Sequence, residues 1–409
     1  MIFAFSDHIV PRGMRLLRAA VAAALVAGLT AANAQDSPLP PASGFLFWTP
    51  AQQRVGYRSI EKIFPVRIVK RGGTVSSLPN AGLPFDVSYE FNGKRLNTAG
   101  FMAANNVSGL LIVQGGKVLL ERYGLGRGAH DRWTSFSVAK SVTSTLVGAA
   151  IKDGFISGLD AEVTTYLPEL KGTAYDGVRV RDLITMRSGL KWNEDYSNPK
   201  SDVNRFGIEP LPKNGEDPVE AYLARLPRAH RPGTVFNYNT GETDLAGILV
   251  ARATRRHLAD YLSERIWSKI GAEQDAVWML DRAGEEFGGC CLSMTLRDYA
   301  RFGLFFMHGG RANGEEILPS DWVEAASAKQ TPSDFGKLGY GYFWWIHPDG
   351  SYEAIGIFGQ SILIVPKQDL VVVTNSAWPE ADADRFYAAH DAYVSAVRAA
   401  LRPGSTRSN

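Results

Sequence analysis

The chain has 409 residues, of which 45% are hydrophobic and 21% charged, and its formal net charge at pH 7 is +2. This composition is typical of an ordinary globular protein, and a charge so close to zero gives no support for a nucleic-acid partner. The length exceeds what one small core needs and allows two closely joined domains.

The first 34 residues are predicted to be an export signal that is removed. Three arginines within the first 18 residues precede an apolar segment at 19–29, and Ala32-Asn33-Ala34 fits a small-residue cleavage site. A membrane anchor is the weaker interpretation, because a spanning helix needs roughly 20 apolar residues. We therefore expect a periplasmic or secreted protein that starts near Gln35 and has no stable membrane insertion after cleavage.

The segments that follow alternate between strand and helix signals. Residues 35–55 are rich in Pro, Ser and Ala and resemble a leader or strap. Residues 110–113 and 117–123 flank Gln114-Gly115-Gly116, which predicts a β-hairpin with glycines in its turn. Mostly helical signals fill 159–307, with helices predicted at 180–186, 218–226, 243–262 and 295–308. Strands are predicted again at 341–346, 352–357, 361–365 and 370–374, before a closing helix at 381–401.

This order predicts an α/β (α+β) fold in which an antiparallel sheet is flanked by the N- and C-terminal helices and a mainly helical domain is inserted between its halves. The α/β domain is assigned to 56–158 and 308–402, and the inserted helical domain to 159–307. Residues 403–409 form a tail.

The most informative motif is Ser137-Val138-Ala139-Lys140 at the start of an apolar helix. Residues three apart lie on one helix face, so the Lys140 amine can reach the Ser137 hydroxyl and take its proton if the amine is neutral. The alternative, in which Ser137 only caps the helix and Lys140 is solvated, is disfavoured because the face that carries Lys140 is otherwise apolar.

Two other Ser-x-x-Lys pairs occur, at Ser188 to Lys191 and at Ser197 to Lys200. Ser188 precedes a glycine in a turn-like stretch, and Ser197 precedes Asn198-Pro199, where proline disfavours helix. Only Ser137 opens a long apolar helix.

The two cysteines, Cys290 and Cys291, are adjacent. Neighbouring Cα atoms lie about 3.8 Å apart, closer than the usual disulfide spacing, so we expect free, buried thiols. No histidine lies near them at ligand spacing, and neither a metal nor a cofactor is expected.

Five segments together resemble the serine hydrolases related to class C β-lactamases, and most of all the 6-aminohexanoate-dimer (nylon oligomer) hydrolase branch. They occur in the expected order within residues 57–377. The segments are Ser137-Val138-Ala139-Lys140, Tyr166-Leu167-Pro168-Glu169-Leu170, Arg181-Asp182-Leu183-Ile184-Thr185-Met186-Arg187-Ser188-Gly189-Leu190, Pro232-Gly233-Thr234-Val235-Phe236-Asn237-Tyr238 and Asp298-Tyr299-Ala300-Arg301-Phe302-Gly303.

The resemblance implies a β-lactamase/transpeptidase-like fold and assigns roles to matching residues. Ser137 matches the nucleophile and Lys140 the lysine that activates it. Tyr238 matches the tyrosine of a Tyr-x-Asn or Tyr-x-Ser motif, which relays a proton to the leaving group. This chain has Thr240 at the third position of that motif, so a hydroxyl is kept and the amide of an Asn is lost. Thr240, Tyr196 and Ile357 are expected to bind the substrate.

The third motif of the family, a Lys-Thr-Gly or His-Thr-Gly on a strand beside the nucleophile, corresponds to Ile357-Phe358-Gly359. Neither Ile nor Phe can hold a substrate carboxylate. The backbone N–H of Gln360, paired with that of Ser137, is predicted to form the oxyanion hole, with Ile357 N–H as the competing donor. Tyr196 matches a mobile-loop tyrosine that contacts the scissile amide, although a packed loop aromatic is an equal alternative.

These observations predict an exported, metal-free serine hydrolase that forms an acyl-enzyme on Ser137 and acts on a small-molecule amide or ester. Activity on cell-wall peptides, as in β-lactamase-like or D-aminopeptidase-like enzymes, is one alternative. The other is a binding module that is acylated without turnover, as in a penicillin sensor. Scattered histidines fit a Ser-His-Asp hydrolase poorly. The sequence does not predict the oligomeric state.

Overall fold

The computed structural model describes residues 38–208, 212 and 217–402, so the predicted export signal and the tail at 403–409 lie outside the described residues. Within the described part, the chain from Leu39 onwards forms one compact unit. None of the helices described there is long and apolar enough to cross a bilayer. The predicted domain boundaries inside this unit stay a prediction.

The strands, in chain order, are β1 (Val66–Val69), β2 (Ser88–Phe91), β3 (Lys94–Asn97), β4 (Val107–Gln114), β5 (Lys117–Tyr123), β6 (Trp133–Thr134), β7 (Ala276–Met279), β8 (Leu292–Met294), β9 (Arg311–Ala312), β10 (Glu315–Glu316), β11 (Thr331–Pro332), β12 (Gly339–Tyr340), β13 (Trp345–Ile346), β14 (Tyr352–Gly356), β15 (Gln360–Val365) and β16 (Leu370–Ser376).

The α-helices are α1 (Pro50–Gly56), α2 (Ile60–Ile63), α3 (Thr98–Ala104), α4 (Val138–Lys152), α5 (Val163–Tyr166), α6 (Val180–Ile184), α7 (Asp202–Arg205), α8 (Pro218–Ala224), α9 (Thr240–Thr254), α10 (Leu258–Leu262), α11 (Leu296–Met307), α12 (Trp322–Ala326) and α13 (Asp384–Ala400). Short 3-10 turns lie at Phe45–Phe47, Pro168–Leu170, Phe206–Ile208 and Pro366–Gln368, and a π-turn at Ser263–Trp267.

The main sheet is antiparallel throughout, with the strand order β11-β12-β13-β14-β15-β16-β4-β5. Strands β4 and β5 form the predicted hairpin, and its turn glycines have the positive φ values of 57° at Gly115 and 70° at Gly116 that a tight hairpin needs. The predicted fold class is therefore confirmed.

Helices cover both faces of this sheet. Along β4, Leu111 and Val113 belong to the larger core, which they share with α4 and α11, whereas Leu110 and Ile112 belong to a second core shared with α3 and α13. Successive strand residues point to opposite faces, so burial on both sides explains why β4 is almost continuously apolar.

A second sheet, with the order β1-β7-β8-β6, departs from the mostly helical prediction for 159–307. Strand β7 is a short apolar run whose periodicity does not distinguish strand from helix. Its partner β1 lies far away in sequence, with Val66 opposite Met279. The sheet matters for function because β6 pairs with β8 and leads, within three residues, into α4.

Two local predictions need correction. The single helix predicted at 243–262 is two helices, α9 and α10, because Arg255 takes a left-handed conformation with φ 57° at the end of α9. The predicted free thiols are wrong, since Cys290 and Cys291 are joined in a disulfide. Their Cα atoms are 3.7 Å apart, as the spacing argument assumed, so that short spacing did not exclude the bond.

The predicted strap at 35–55 is built into the fold from its described residues onwards. Helix α1 begins with a capping box between Thr49 and Gln52. The ring of Phe45 stacks on that of Phe136 at 5.2 Å, and Trp48 is buried. The strap thus packs against the residue that precedes Ser137.

Candidate active site

The turn before Ser137 holds an unusual backbone conformation. Phe136 has φ 43°, a left-handed value that costs a bulky residue free energy unless its surroundings fix it. Its buried ring is fixed by three aromatic neighbours, Phe45, Tyr57 and Phe358, at centroid distances of 5.2, 5.0 and 5.1 Å. Packing of this ring therefore sets the direction in which the chain enters α4.

Ser137 occupies the cap position of α4, yet its side chain makes no capping hydrogen bond. Its Oγ instead lies 3.1 Å from the Nζ of Lys140. The alternative in which Ser137 only caps the helix is therefore not what the structure shows.

Lys140 is only 1% exposed, and its amine has three oxygen neighbours. Besides Ser137 Oγ, these are Thr240 Oγ1 and the carbonyl oxygen of Gly289, each at 2.9 Å. A carbonyl can only accept a hydrogen bond. The Thr240 hydroxyl is also limited to accepting from Lys140, because its own proton is donated to the Glu194 carboxylate.

A neutral amine has two N–H donors and one lone pair. In this site both donors are used by Thr240 and Gly289, so the lone pair is left for the proton of Ser137. Burial lowers the pKa of Lys140 to about 8, although the nearby carboxylates of Glu194 and Asp244 act in the opposite direction. The arrangement is therefore one in which Lys140 can act as a general base towards Ser137.

Tyr238 lies next to this pair. Its hydroxyl hydrogen-bonds with the Ser137 side chain, and its ring centre is 5.2 Å from Lys140 Nζ. The ring also stacks on Trp345 with 5.4 Å between centroids. Burial raises the pKa of Tyr238, and Glu194 raises it further, so the phenol keeps its proton at neutral pH. Tyr238 is thus suited to donating and relaying a proton, and Lys140 is the better base.

Glu194 is the residue of the site that sequence reasoning missed. Its half-buried carboxylate accepts hydrogen bonds from the backbone N–H of Thr240 at 3.0 Å and from the Tyr196 hydroxyl at 2.7 Å. It also accepts from the Thr240 hydroxyl and from the indole N–H of Trp192. Four donors therefore converge on one carboxylate beside Lys140.

The other two Ser-x-x-Lys pairs are not arranged in this way. The Ser188 hydroxyl is bonded to the buried carboxylate of Glu242, and that of Ser197 to Asp195. Lys191 and Lys200 are exposed. Among the three pairs, only Ser137 and Lys140 have their polar atoms in contact.

With this geometry established, comparison with known proteins identifies the family. The model of the beta-lactamase family matches residues 97–394. The chain belongs to the beta-lactamase family. It is also 32% identical over 305 residues to the 6-aminohexanoate-dimer hydrolase of Paenarthrobacter ureafaciens, a match that covers 71% of this chain and 78% of that protein.

Solved structures agree with this assignment. A candidate 6-aminohexanoate-dimer hydrolase from Bacillus anthracis superposes with a TM-score of 0.75 at 25% identity, over 87% of this chain and 97% of that one. A family VIII carboxylesterase shares the fold, with a TM-score of 0.57 at 17% identity over 73% and 95% of the two chains. The protein is a serine hydrolase of the beta-lactamase family, similar to 6-aminohexanoate-dimer hydrolase.

The segment 357–359, predicted to correspond to the third family motif, lies beside Ser137 in a turn between two strands. Strand β14 ends at Gly356, and residues 357–359 form the turn to β15. A Cβ at Gly356 would lie 2.6 Å from Ser135 O and 3.0 Å from Ser137 N, so only glycine lets the two backbones approach so closely. The amide that follows Gly356 is that of Ile357.

Gln360 has a visible structural role in this turn. Its buried side-chain amide donates to the carbonyl oxygens of Phe358 and Ser376 at 3.1 and 2.8 Å. Its backbone is paired with Gly356 at the start of β15. These contacts do not test whether its N–H serves the oxyanion hole, which stays a prediction.

Tyr196 is half-buried, and its hydroxyl donates to Glu194, which places it at the edge of the site. Thr240, predicted to be a substrate-binding residue, contacts Lys140 directly. Two further contributors, Gly289 and Asp244, had no sequence signal. The Gly289 N–H donates to Asp244 Oδ1 at 2.8 Å, and the carbonyl of the same glycine accepts from Lys140.

Proposed function

We propose that the protein is an exported hydrolase of small amides or esters that acts through an acyl-enzyme on Ser137, with Lys140 as the general base. One observation carries the proposal: Lys140 Nζ lies 3.1 Å from Ser137 Oγ and 2.9 Å from each of two acceptors, Thr240 Oγ1 and Gly289 O. A neutral amine that donates to these two acceptors keeps its lone pair for the Ser137 proton.

In the proposed reaction, Ser137 Oγ attacks the substrate carbonyl while its proton passes to Lys140. Negative charge then develops on the carbonyl oxygen, and the N–H groups of Ser137 and Ile357 stabilise it. We favour Ile357 over Gln360 because the end of β14 lies against the Ser137 backbone. Tyr238 passes the proton from Lys140 on to the leaving group as the bond to it breaks, which leaves Lys140 neutral again. A water molecule then attacks the acyl-enzyme while Lys140 takes its proton, and that proton returns to Ser137 Oγ as the acid is released.

The substrate class is inferred from the surroundings of the nucleophile. Ile357 and Phe358 belong to an apolar cluster with Phe136 and Tyr57, so the third motif offers no cation for a substrate carboxylate. The similarity to a 6-aminohexanoate-dimer hydrolase supports a linear amide substrate. We therefore propose small linear amides and short esters as substrates.

The proposal is tested by intact-mass measurement during incubation with p-nitrophenyl butyrate. We expect an increase in mass equal to one butyryl group, located on Ser137, together with continuous release of p-nitrophenol. Ser137→Ala should show neither. A stable adduct without continued release would indicate an acylated binding module instead of an enzyme. An adduct on Ser188 or Ser197 would overturn the assignment of the nucleophile.

Short esters should be better substrates than β-lactams. An unpaired carboxylate in a partly desolvated cleft costs several kcal/mol, and the apolar turn at 357–359 provides no partner for it. We expect kcat/KM for p-nitrophenyl butyrate to exceed that for a chromogenic cephalosporin in parallel assays. The opposite order would contradict the substrate class and favour β-lactamase-like activity on cell-wall compounds.

A further inference from the structure

The four hydrogen bonds to Glu194 fix the donor direction of two hydroxyl groups beside Lys140. Two come from groups that can only donate, the Thr240 backbone N–H and the Trp192 indole N–H, and both reach Oε2. The other two come from the hydroxyls of Thr240 and Tyr196, and both reach Oε1. Because a carboxylate can only accept, each hydroxyl must donate its proton to Glu194.

We propose that Glu194 is a positioning residue of the active site: by fixing the direction of the Thr240 hydroxyl, its carboxylate keeps the lone pair of Lys140 free for Ser137. This inference rests on the proposed function, because it explains how Lys140 is held in the form that can act as a base. Glu194 itself does not contact Ser137 in this arrangement; it acts through Thr240.

Replacing Glu194 with glutamine should reverse the direction of the hydrogen bond between this side chain and the Thr240 hydroxyl. The amide carbonyl must face the two obligate donors, Thr240 N–H and Trp192 N–H, so the NH2 group faces the two hydroxyls. The Thr240 hydroxyl then accepts from that NH2 group and donates its own proton to Lys140. Ser137 and Thr240 would compete for the same lone pair.

The charge of Glu194 has a separate effect on Lys140. A nearby negative charge stabilises the ammonium form, so removing it lowers the pKa of Lys140. The other groups that face Lys140 are the buried Asp244 on α9 and the phenol of Tyr238. Both are unchanged in a Glu194 variant. The acidic limb of the pH profile, where activity falls as Lys140 becomes protonated, should therefore move to lower pH.

The experiment compares Glu194→Gln with Asp195→Asn, which removes an equal charge from the next, exposed residue of the same loop. For Glu194→Gln we expect kcat for p-nitrophenyl butyrate to fall roughly 10²-fold at the plateau pH, because a Lys140 lone pair that no longer faces Ser137 acts like a base displaced from its reacting position. We also expect its acidic limb to move to lower pH. Asp195→Asn should match the wild type in both respects.

Thr240 provides an independent test of the same connection. Thr240→Val removes the hydroxyl with little change in shape and should lower kcat to a similar extent, whereas Thr240→Ser should recover most of that loss. Because both residues act through one hydroxyl, the double variant Glu194→Gln/Thr240→Val should be no slower than the slower single variant. Thermal unfolding shows whether each variant is folded. If Glu194→Gln does not fold, the kinetics of Thr240→Val and Thr240→Ser test the inference.

Acylation of the wild-type enzyme is measured first, because its absence would overturn the proposed function and this inference with it. If the wild type is acylated on Ser137 but Glu194→Gln has the kcat and pH profile of Asp195→Asn, only the role of Glu194 is contradicted. Strictly additive losses in the double variant would also contradict it, since they would show that Glu194 and Thr240 act independently.

Discussion

Replacement of Lys140 by alanine should slow acylation of Ser137 roughly 10²–10⁴-fold, the range expected when a positioned general base is lost. The structure gives the reason. Lys140 Nζ lies 3.1 Å from Ser137 Oγ, whereas the phenol of Tyr238 keeps its proton because burial raises its pKa. Pre-steady-state release of p-nitrophenol measures the acylation rate directly.

Lys140→Ala should also lack the acidic limb of the pH profile of kcat/KM. Activity requires neutral Lys140, so kcat/KM of the wild type should fall as the pH drops through about 8, the pKa to which burial lowers this amine. Lys140→Ala should lack this limb. Lys200→Ala is a suitable control, because Lys200 belongs to another Ser-x-x-Lys pair but is exposed. Near-normal acylation by Lys140→Ala would refute its role as base.

Sequence reasoning succeeded where the signal is local. The Gly115-Gly116 turn specifies its own hairpin through positive φ values, and the apolar residues around Lys140 already predict a buried amine. Contacts between distant segments were not accessible in this way. Strand β7 pairs with β1 across some two hundred residues of chain, and no pattern in the sequence of either strand identifies its partner.

The surroundings of Lys140 show the same limit at the level of single residues. Glu194 lies two positions before Tyr196, which the sequence predicts to be a site residue. Only the folded chain brings the Glu194 carboxylate to Thr240. Gly289 contributes a backbone carbonyl, which no side-chain motif can reveal. The proposed nucleophile and base are therefore readable from a motif, whereas the groups that orient them are supplied by loops that meet in the folded chain.

Replacement of Tyr238 by phenylalanine should lower kcat roughly 10²-fold with little change in KM. The ring that stacks on Trp345 at 5.4 Å is kept, so packing is preserved and only the hydroxyl next to Ser137 is lost. The lost hydroxyl hydrogen-bonds the Ser137 side chain, so an interaction of the reacting nucleophile is removed whichever leaving group departs, and kcat and kcat/KM should fall equally. Steady-state kinetics on one ester and one anilide should show this for both substrates.

Tyr196→Phe provides the comparison that separates proton transfer from packing. An amine leaving group must be protonated as it departs, whereas p-nitrophenolate leaves without help, so a hydroxyl directed at the scissile amide matters for amides alone. In the structure this hydroxyl is held by Glu194 at 2.7 Å, at the edge of the site. We expect Tyr196→Phe to slow anilide hydrolysis and to spare the ester. Equal losses on both substrates would show that Tyr196 acts by packing, and a Tyr238→Phe enzyme with wild-type kcat would remove Tyr238 from the proton path.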